Sequence, residues 1–310
     1  MLTWDDIPDE DRAPTPLEKV AVLSKVERVE RVERLIDESF RILRYGVERY
    51  RRNHAIRAYV GMFSGGNDST TMMHLMRPVL THAGMANTTI GIEETRQFVR
   101  DTCQAWGLPL IEKRPPDSYA DLVTGRAVNK TGVNRGAAAW SGGFPGPPMH
   151  NFFFVRLKQR CFEQLRSELV RDPRYERIVL IAGRRRQESE RRKEVPFYEP
   201  WGSAIWISPL AMWTALDVAT YRTMHPDVPR NRVSDLLHMS GECLCGCYAR
   251  PGELNEIGEW FPEVRAEIEA LEAEVQASGA PANRCFWGRG SGPGVSNKLC
   301  GNCAARAGAL

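Results

Sequence analysis

The sequence predicts an α/β protein with a doubly wound, mostly parallel sheet, on three observations. Strand-length apolar runs alternate with helical stripes from Ile56 onward, a Gly-Gly loop separates the first run from its helix, and a basic turn follows a later run. An N-terminal helix precedes this region and a cysteine-rich tail follows it. The expected organisation is a helical extension over 1–52, an α/β domain over 53–228 and a cysteine-rich region over 229–310.

In chain order, apolar side chains at Val22, Val26, Val29, Val32, Ile36, Phe40, Leu43 and Val47 draw one stripe along a helix over residues 17–50. The reading is a packing helix, with a short coiled-coil or partner helix as the alternative. Residues 56–63 then read as a buried strand, 69–76 as a helix, 79–85 as a strand, 94–106 as a helix and 108–112 as a strand. Residues 114–150, rich in Pro, Gly, Asn and Ser, make too long a break for a mere connector. An active-site lid or substrate loop is the reading, unstructured chain the alternative. A helix over 151–169, strands at 178–182 and 204–208 and a helix over 215–223 complete the pattern, and a last helix is expected at 261–276. The Gly-rich stretch from Gly288 to Gly294 follows no strand and lacks the G-x-G-x-x-G spacing, so it is not read as a dinucleotide site.

Composition narrows the class. A 310-residue chain with 42% hydrophobic residues can bury a core without covalent staples. No apolar run reaches the roughly 18 residues of a membrane span. The opening Met1-Leu2-Thr3-Trp4-Asp5-Asp6 is acidic where a secretory signal is basic and then apolar, so a soluble, cytoplasmic protein with no membrane partner is expected. The net charge of +3 decides nothing about nucleic acid, because such binding depends on local clusters.

The strongest chemical signal is Ser64-Gly65-Gly66-Asn67-Asp68-Ser69, placed between the first strand and its helix. Glycines there let successive amides point into one concavity, and the helix adds its positive end, which suits phosphate or pyrophosphate. Ser64 and Ser69 can donate to phosphate oxygens, while Asp68 can cap the helix or help hold magnesium. A plain Gly-Gly turn with an Asp/Ser cap is the alternative. No G-x-x-x-x-G-K-[ST] sequence occurs, which excludes a Walker-type nucleotidase. A second signal is the density of Arg184, Arg185, Arg186, Arg191, Arg192 and Lys193 after the strand at 178–182. Guanidinium groups bind phosphate or sulfate bidentately, so this turn reads as an anion site, with a solvated charged loop or a nucleic-acid contact as alternatives.

The cysteines crowd the end of the chain. Cys103 and Cys161 stand alone in helical segments, whereas Cys243, Cys245, Cys247, Cys285, Cys300 and Cys303 cluster later, a usage that suggests metal or thiol chemistry more than disulfides. The pairs Cys243/Cys245 and Cys300/Cys303 are the expected ligands of zinc or of a 4Fe-4S cluster, with Cys247 and Cys285 as spares or as the reactive thiol.

The chain resembles the phosphoadenosine phosphosulfate (PAPS) reductase-like family of the PP-loop ATP pyrophosphatase superfamily. Its S-G-G-x-D-S loop stands here as Ser64–Ser69, its strand-end glutamate-threonine segment as Asn87–Thr95, and its G-x-R-x-x-E-S-x-x-R turn as Gly183–Arg192. The resemblance implies an adenine nucleotide, ATP or PAPS, bound by Ser64, Gly65, Gly66, Asn67, Asp68, Ser69, Glu94, Thr95, Gly183, Arg185, Glu188 and Ser189, with Asp68, Arg185, Glu188 and Arg192 at the chemistry. The sequence also departs from the family. Both cysteine pairs follow the basic turn instead of preceding it, and the E-C-G-x-H tail of true PAPS reductases is missing.

Three functions are therefore expected in order. The first is ATP-dependent adenylation, with magnesium, coupled to sulfur transfer from a sulfur donor to an acceptor that could be a nucleic acid. The second is thiol-dependent reduction of PAPS or adenylyl sulfate with a thioredoxin-like reductant, and the third is nucleotide binding without turnover.

Overall fold

The computed structural model describes residues 8–288. Its centre is a six-stranded sheet of order β3-β2-β1-β4-β6-β5, formed by β1 (Ala55–Met62), β2 (His82–Ala86), β3 (Leu110–Lys113), β4 (Glu176–Ala182), β5 (Tyr198–Trp201) and β6 (Ala204–Ile207). All neighbours pair in parallel except β5 and β6. The doubly wound α/β architecture is as the alternation of runs and stripes predicts. From β1 the chain winds outward to β2 and β3, then returns to place β4 on the other side of β1. Connections leaving β1 and β4 therefore diverge and open a crevice at the carboxyl edge, the usual ligand position in such sheets.

Helices cover both faces. In β4, Val179 and Ile181 belong to the core shared with α2 (Lys25–Arg51), α3 (Asn67–Met76) and α8 (Ala215–Met224). Ile178 and Leu180 turn to the opposite core with Leu165 of α7 (Arg160–Leu169), and all four strand residues are fully buried. A continuous apolar run is the signature of such a two-sided strand.

Differences from expectation have local causes. The N-terminal helix is two helices, α1 (Leu17–Ala21) and α2, because Ser24 starts α2 with a capping box to Glu27. The stripe consequently loses its first members: Val22 and Val26 are exposed, and burial begins at Val32. The second strand begins at His82 because Val79 and Leu80 form the turn after α3. Strand β5 escapes the sequence pattern because Pro200 interrupts it, which an edge strand tolerates.

Helix α4 (Glu93–Ala105) precedes β3, and the long segment after β3 is folded. It holds the short helix α5 (Tyr119–Val123), and Phe144 is buried with its N–H donating to the Arg284 carbonyl at 2.7 Å. The following helix is α6 (His150–Phe154), joined to α7 through a π turn at Val155–Gln159. A second core unites Ile90, Ile92, Tyr119, Phe144 and Phe153 with residues of α9 (Arg232–Leu237), α10 (Glu253–Trp260) and α11 (Pro262–Ala277). The insert after β3 and the C-terminal region thus share one core. No helix among the described residues is long and apolar enough to cross a membrane. Of the Gly288–Gly294 stretch only Gly288 is among the described residues.

Gly46 sets how closely α2 approaches the sheet. A Cβ there would lie 2.7 Å from Tyr198 Cβ and 2.7 Å from Ile207 Cδ1. Gly46→Leu is expected to destabilise the fold by about 1–3 kcal/mol through overpacking, measured as a shift in the urea-unfolding midpoint.

Candidate functional site

The residues after β1 form a loop without side-chain bulk at its two critical positions. Gly65 has φ +75°, and a Cβ on it would meet Thr95 Cγ2 at 2.7 Å. Gly66 is the N-cap of α3 and has no side chain to satisfy the first-turn amides, which leaves that end open to an anion. Ser64 donates its hydroxyl to Ser69 Oγ at 3.1 Å, and Ser69 donates to the Gly66 carbonyl at 3.0 Å, so both hydroxyls face the loop.

The back of the loop is held by a buried polar knot. Asn231, the N-cap of α9, donates through Nδ2 to the Gly65 carbonyl at 2.9 Å and to Thr95 Oγ1 at 3.0 Å. Ser234 donates to the same carbonyl at 3.2 Å, while Thr95 donates to the Ser240 carbonyl at 2.6 Å. Neither Asn231 nor Ser234 belongs to a motif of the sequence. The sequence signal that could have found Asn231 is a helix cap: an Asn just before the apolar-periodic run of α9.

The expected site residues divide by what they touch. Asp68 does not cap α3; its carboxylate pairs with the Arg185 guanidinium at 2.8 Å. Arg185 is almost fully buried, and Gly183 lies so close that a Cβ would come within 2.7 Å of the Asp68 carbonyl oxygen. The turn after β4 is thus pressed onto the first turn of α3. Glu188 pairs with Arg192, and Ser189 is extended between the two short turns that carry them. Thr95 serves the loop, whereas Glu94 pairs with Arg232 at 3.0 Å beside an open cleft of about 240 Å³ that Asn231 also lines.

The basic turn is only partly a site. Arg184 bonds Ser208 at 2.9 Å and Glu199 at 2.8 Å, anchoring the β5–β6 hairpin. Arg186 donates to the carbonyls of Val195, Arg12 and Glu10 and stacks over Phe197, so it fixes the N-terminal arm. Residue density alone could not separate these structural arginines from Arg185, Arg191 and Arg192.

The cysteine turn lies against the same crevice. Ile92 N–H donates to the Gly241 carbonyl at 2.8 Å, Leu244 N–H to the Ile90 carbonyl at 3.0 Å and Thr88 Oγ1 to the Glu242 carbonyl at 3.0 Å. Gly91 permits this approach, since a Cβ would come within 2.3 Å of the Glu242 carbonyl oxygen. Ser240 Cβ lies 3.2 Å from where Gly66 would carry its own Cβ, so the segment bearing the cysteines touches the Gly65-Gly66 loop directly. Lys158, on the π turn, pairs with buried Glu242 at 2.7 Å. Burial pulls Lys158 down, but the Glu242 carboxylate and the Cys243 and Cys245 thiols hold it above the usual lysine range.

Cys245 lies beside both Cys243 and Cys247. The neighbouring Cys243 pulls its thiol down, but Cys247 and burial push it up to about 12. His150 lies beside these thiols, lowered to about 4 by burial and by Arg191, Lys158 and Arg192, so its imidazole is neutral at pH 7. Arg191 connects the basic turn to this group by donating to Tyr248 Oη at 2.7 Å. Of the expected metal ligands, the structure brings Cys243 and Cys245 together, while Cys300 and Cys303 lie outside the described residues. Cys247 and His150 join the group instead of standing apart.

Comparison with known proteins follows this geometry. The model of the phosphoadenosine phosphosulfate reductase domain matches residues 58–236. The adenosine 5'-phosphosulfate reductase of Chelativorans sp. (strain BNC1) is 33% identical over 103 residues, which cover 32% of this chain and 42% of that protein. The match therefore spans less than half the length of this relative. Among solved structures, PAPS reductase from Candida auris in a phosphate complex is 17% identical with a TM-score of 0.43, covering 69% of this chain and 92% of that one. The U34-tRNA thiolase NcsA from Methanococcus maripaludis, with its 4Fe-4S cluster, is 12% identical with a TM-score of 0.41, covering 87% and 88%.

Asn231→Ala removes one of the two donors to the Gly65 carbonyl and the donor to Thr95 Oγ1, and losing a buried hydrogen bond costs about 0.5–1.5 kcal/mol. The expected outcome is a matching loss of stability in thermal unfolding, together with weaker pyrophosphate binding by titration calorimetry.

Proposed function

The chain belongs to the phosphoadenosine phosphosulfate reductase domain family, and on that premise we propose that it is an enzyme coupling ATP-dependent adenylation to sulfur transfer. The observation that carries the reading is the direct packing of the cysteine segment on the phosphate loop, through Ser240 against Gly66 and the Thr95 bond to the Ser240 carbonyl. Phosphate recognition and thiol chemistry then share one crevice.

In this reading Ser64, Ser69 and the amides at the start of α3 hold the β- and γ-phosphates. A carbonyl-type oxygen of the acceptor attacks the α-phosphorus, the bond from that phosphorus to the bridging oxygen breaks, and pyrophosphate leaves with the bonding electrons. Arg185, fixed by Asp68, and Arg192, fixed by Glu188, supply positive charge where the leaving group becomes more negative. A hydrosulfide-class donor then attacks the activated carbon, and AMP departs with the former acceptor oxygen. The acceptor gains sulfur without net oxidation or reduction. A nucleic-acid base carbonyl has the required chemistry as acceptor. Magnesium would arrive on the ATP phosphates and add to the same charge stabilisation, since the loop's single carboxylate is engaged by Arg185.

A second reading is favoured by the relative that is a sulfonucleotide reductase. There a thiolate attacks the sulfate sulfur of PAPS or adenylyl sulfate, the nucleotide leaves, and a thioredoxin-like dithiol releases sulfite from the enzyme thiosulfonate as the enzyme and reductant sulfurs form a disulfide. This chemistry needs a thiol free to act alone. Among the described residues, Cys243, Cys245 and Cys247 are grouped, and Cys285 is buried against the carbonyls of Ala280 and Pro281.

The deciding assay supplies the full chain with ATP, a nucleic-acid acceptor and a hydrosulfide donor, or with PAPS or adenylyl sulfate and a dithiol reductant, and measures AMP, pyrophosphate and sulfite. AMP and pyrophosphate from ATP are expected. Sulfite release would transfer the assignment to reduction, and binding without either product would leave a nucleotide-binding protein. Arg185→Ala is expected to lower kcat for pyrophosphate release by roughly 10²–10³, the usual cost of removing one transition-state donor.

A further inference from the structure

His150, Cys245 and Cys247 come from two segments more than ninety residues apart, yet one ligand atom of each lies within 4.8 Å of the other two. We propose that this trio binds a single divalent ion of the zinc class, with three protein ligands and a fourth position open to an exogenous sulfur or oxygen donor. The inference deepens the sulfur-transfer reading by giving the cysteine turn a metal function.

The spacing selects one ion over a cluster. Tetrahedral zinc bonded to sulfur at about 2.3 Å holds neighbouring ligand sulfurs ~3.8 Å apart, so ligand atoms already inside 4.8 Å close around one ion with small shifts. In a 4Fe-4S cube each cysteine binds a different iron, which holds the sulfurs further apart. Two thiolates and one imidazole form the ligand set found where zinc keeps an open position for a substrate. Two thiolates also neutralise a divalent ion, which suits a site whose Cys247 is completely buried.

The surroundings hold the ligands in place. Gly246, with φ +74°, turns the chain between the two cysteines, and its missing Cβ leaves room for the Trp287 indole at 2.8 Å. Trp287 donates to the Leu244 carbonyl at 2.7 Å and Tyr119 donates to the Cys245 carbonyl at 2.7 Å. His150 opens α6, and its ring lies against Tyr248 with centroids 5.0 Å apart. Both backbone carbonyls flanking the first thiol are therefore tied down by buried aromatic donors. Cys243 neighbours Cys245 but is not one of the three converging ligands.

The test uses the full chain purified without oxygen, with zinc, iron and sulfide analysis, followed by Co²⁺ titration of the metal-stripped protein against a chromophoric chelator. The expected result is one ion per chain, no stoichiometric sulfide, and at least about a tenfold loss of Co²⁺ affinity in both His150→Ala and Cys247→Ser, the minimum expected when even supporting partners of a metal site are removed. Cys243→Ser is expected to bind within a few-fold of wild type. Because Cys247→Ser alters a buried position, half-buried His150→Ala carries the comparison if that variant does not fold, and its circular dichroism spectrum serves as the folding control. Wild-type affinity in His150→Ala, a chain without metal, or iron and sulfide in cluster ratio retained by that variant would each overturn the proposal. Equal loss in Cys243→Ser would overturn the open fourth position. All of these readouts are independent of turnover, so failure of the metal proposal and failure of the ATP assay are separate results.

Discussion

The buried carbonyl of Gly65 is the point on which the site depends. A backbone oxygen with no water must find donors inside the protein, and here Asn231 and Ser234 supply them from a helix more than 160 residues further along the chain. Meeting that requirement draws α9 against the Gly65-Gly66 loop. Asn231 also reaches Thr95, and Thr95 reaches Ser240, so the same knot fixes the strand-end segment after β2 and the start of the cysteine turn.

The absence of side chains matters as much as their presence. Gly65, Gly91 and Gly183 each lie where a Cβ would come within 2.7 Å of a neighbour, respectively Thr95, the Glu242 carbonyl and the Asp68 carbonyl. Each allows two loops to approach more closely than any other residue would permit. Three connections that leave different strands are thereby compressed into one crevice, and the cysteine segment closes over it. A loop suited to anions, an arginine fixed by a carboxylate and a group of thiols become neighbours through backbone proximity.

The arginine-rich turn shows how one sequence feature can serve two tasks. Arg184 and Arg186 stabilise the hairpin and the N-terminal arm through carbonyl, carboxylate and aromatic contacts, and so hold the turn rigid. Arg185 lies between them in sequence but pairs with Asp68 in the first turn of α3.

The sequence by itself determined the alternation that makes the sheet, the Gly-Gly loop after β1 and the turn after β4, because those signals are local: a run length, a glycine pair, a cluster of guanidiniums. It also marked Cys243 and Cys245 as partners. Only the tertiary structure decided that Asp68 serves Arg185 instead of capping its helix, that Pro200 lies within an edge strand, and that the segment between β3 and β4 shares a core with the C-terminal region. His150 and Asn231 carried no conspicuous signal, since a histidine after a proline turn and an asparagine before a short helix are ordinary locally. Their roles arise from contacts across the fold, His150 near the thiols of residues 245 and 247 and Asn231 on the carbonyl of Gly65, and such pairings are set by how the chain winds on both sides of β1.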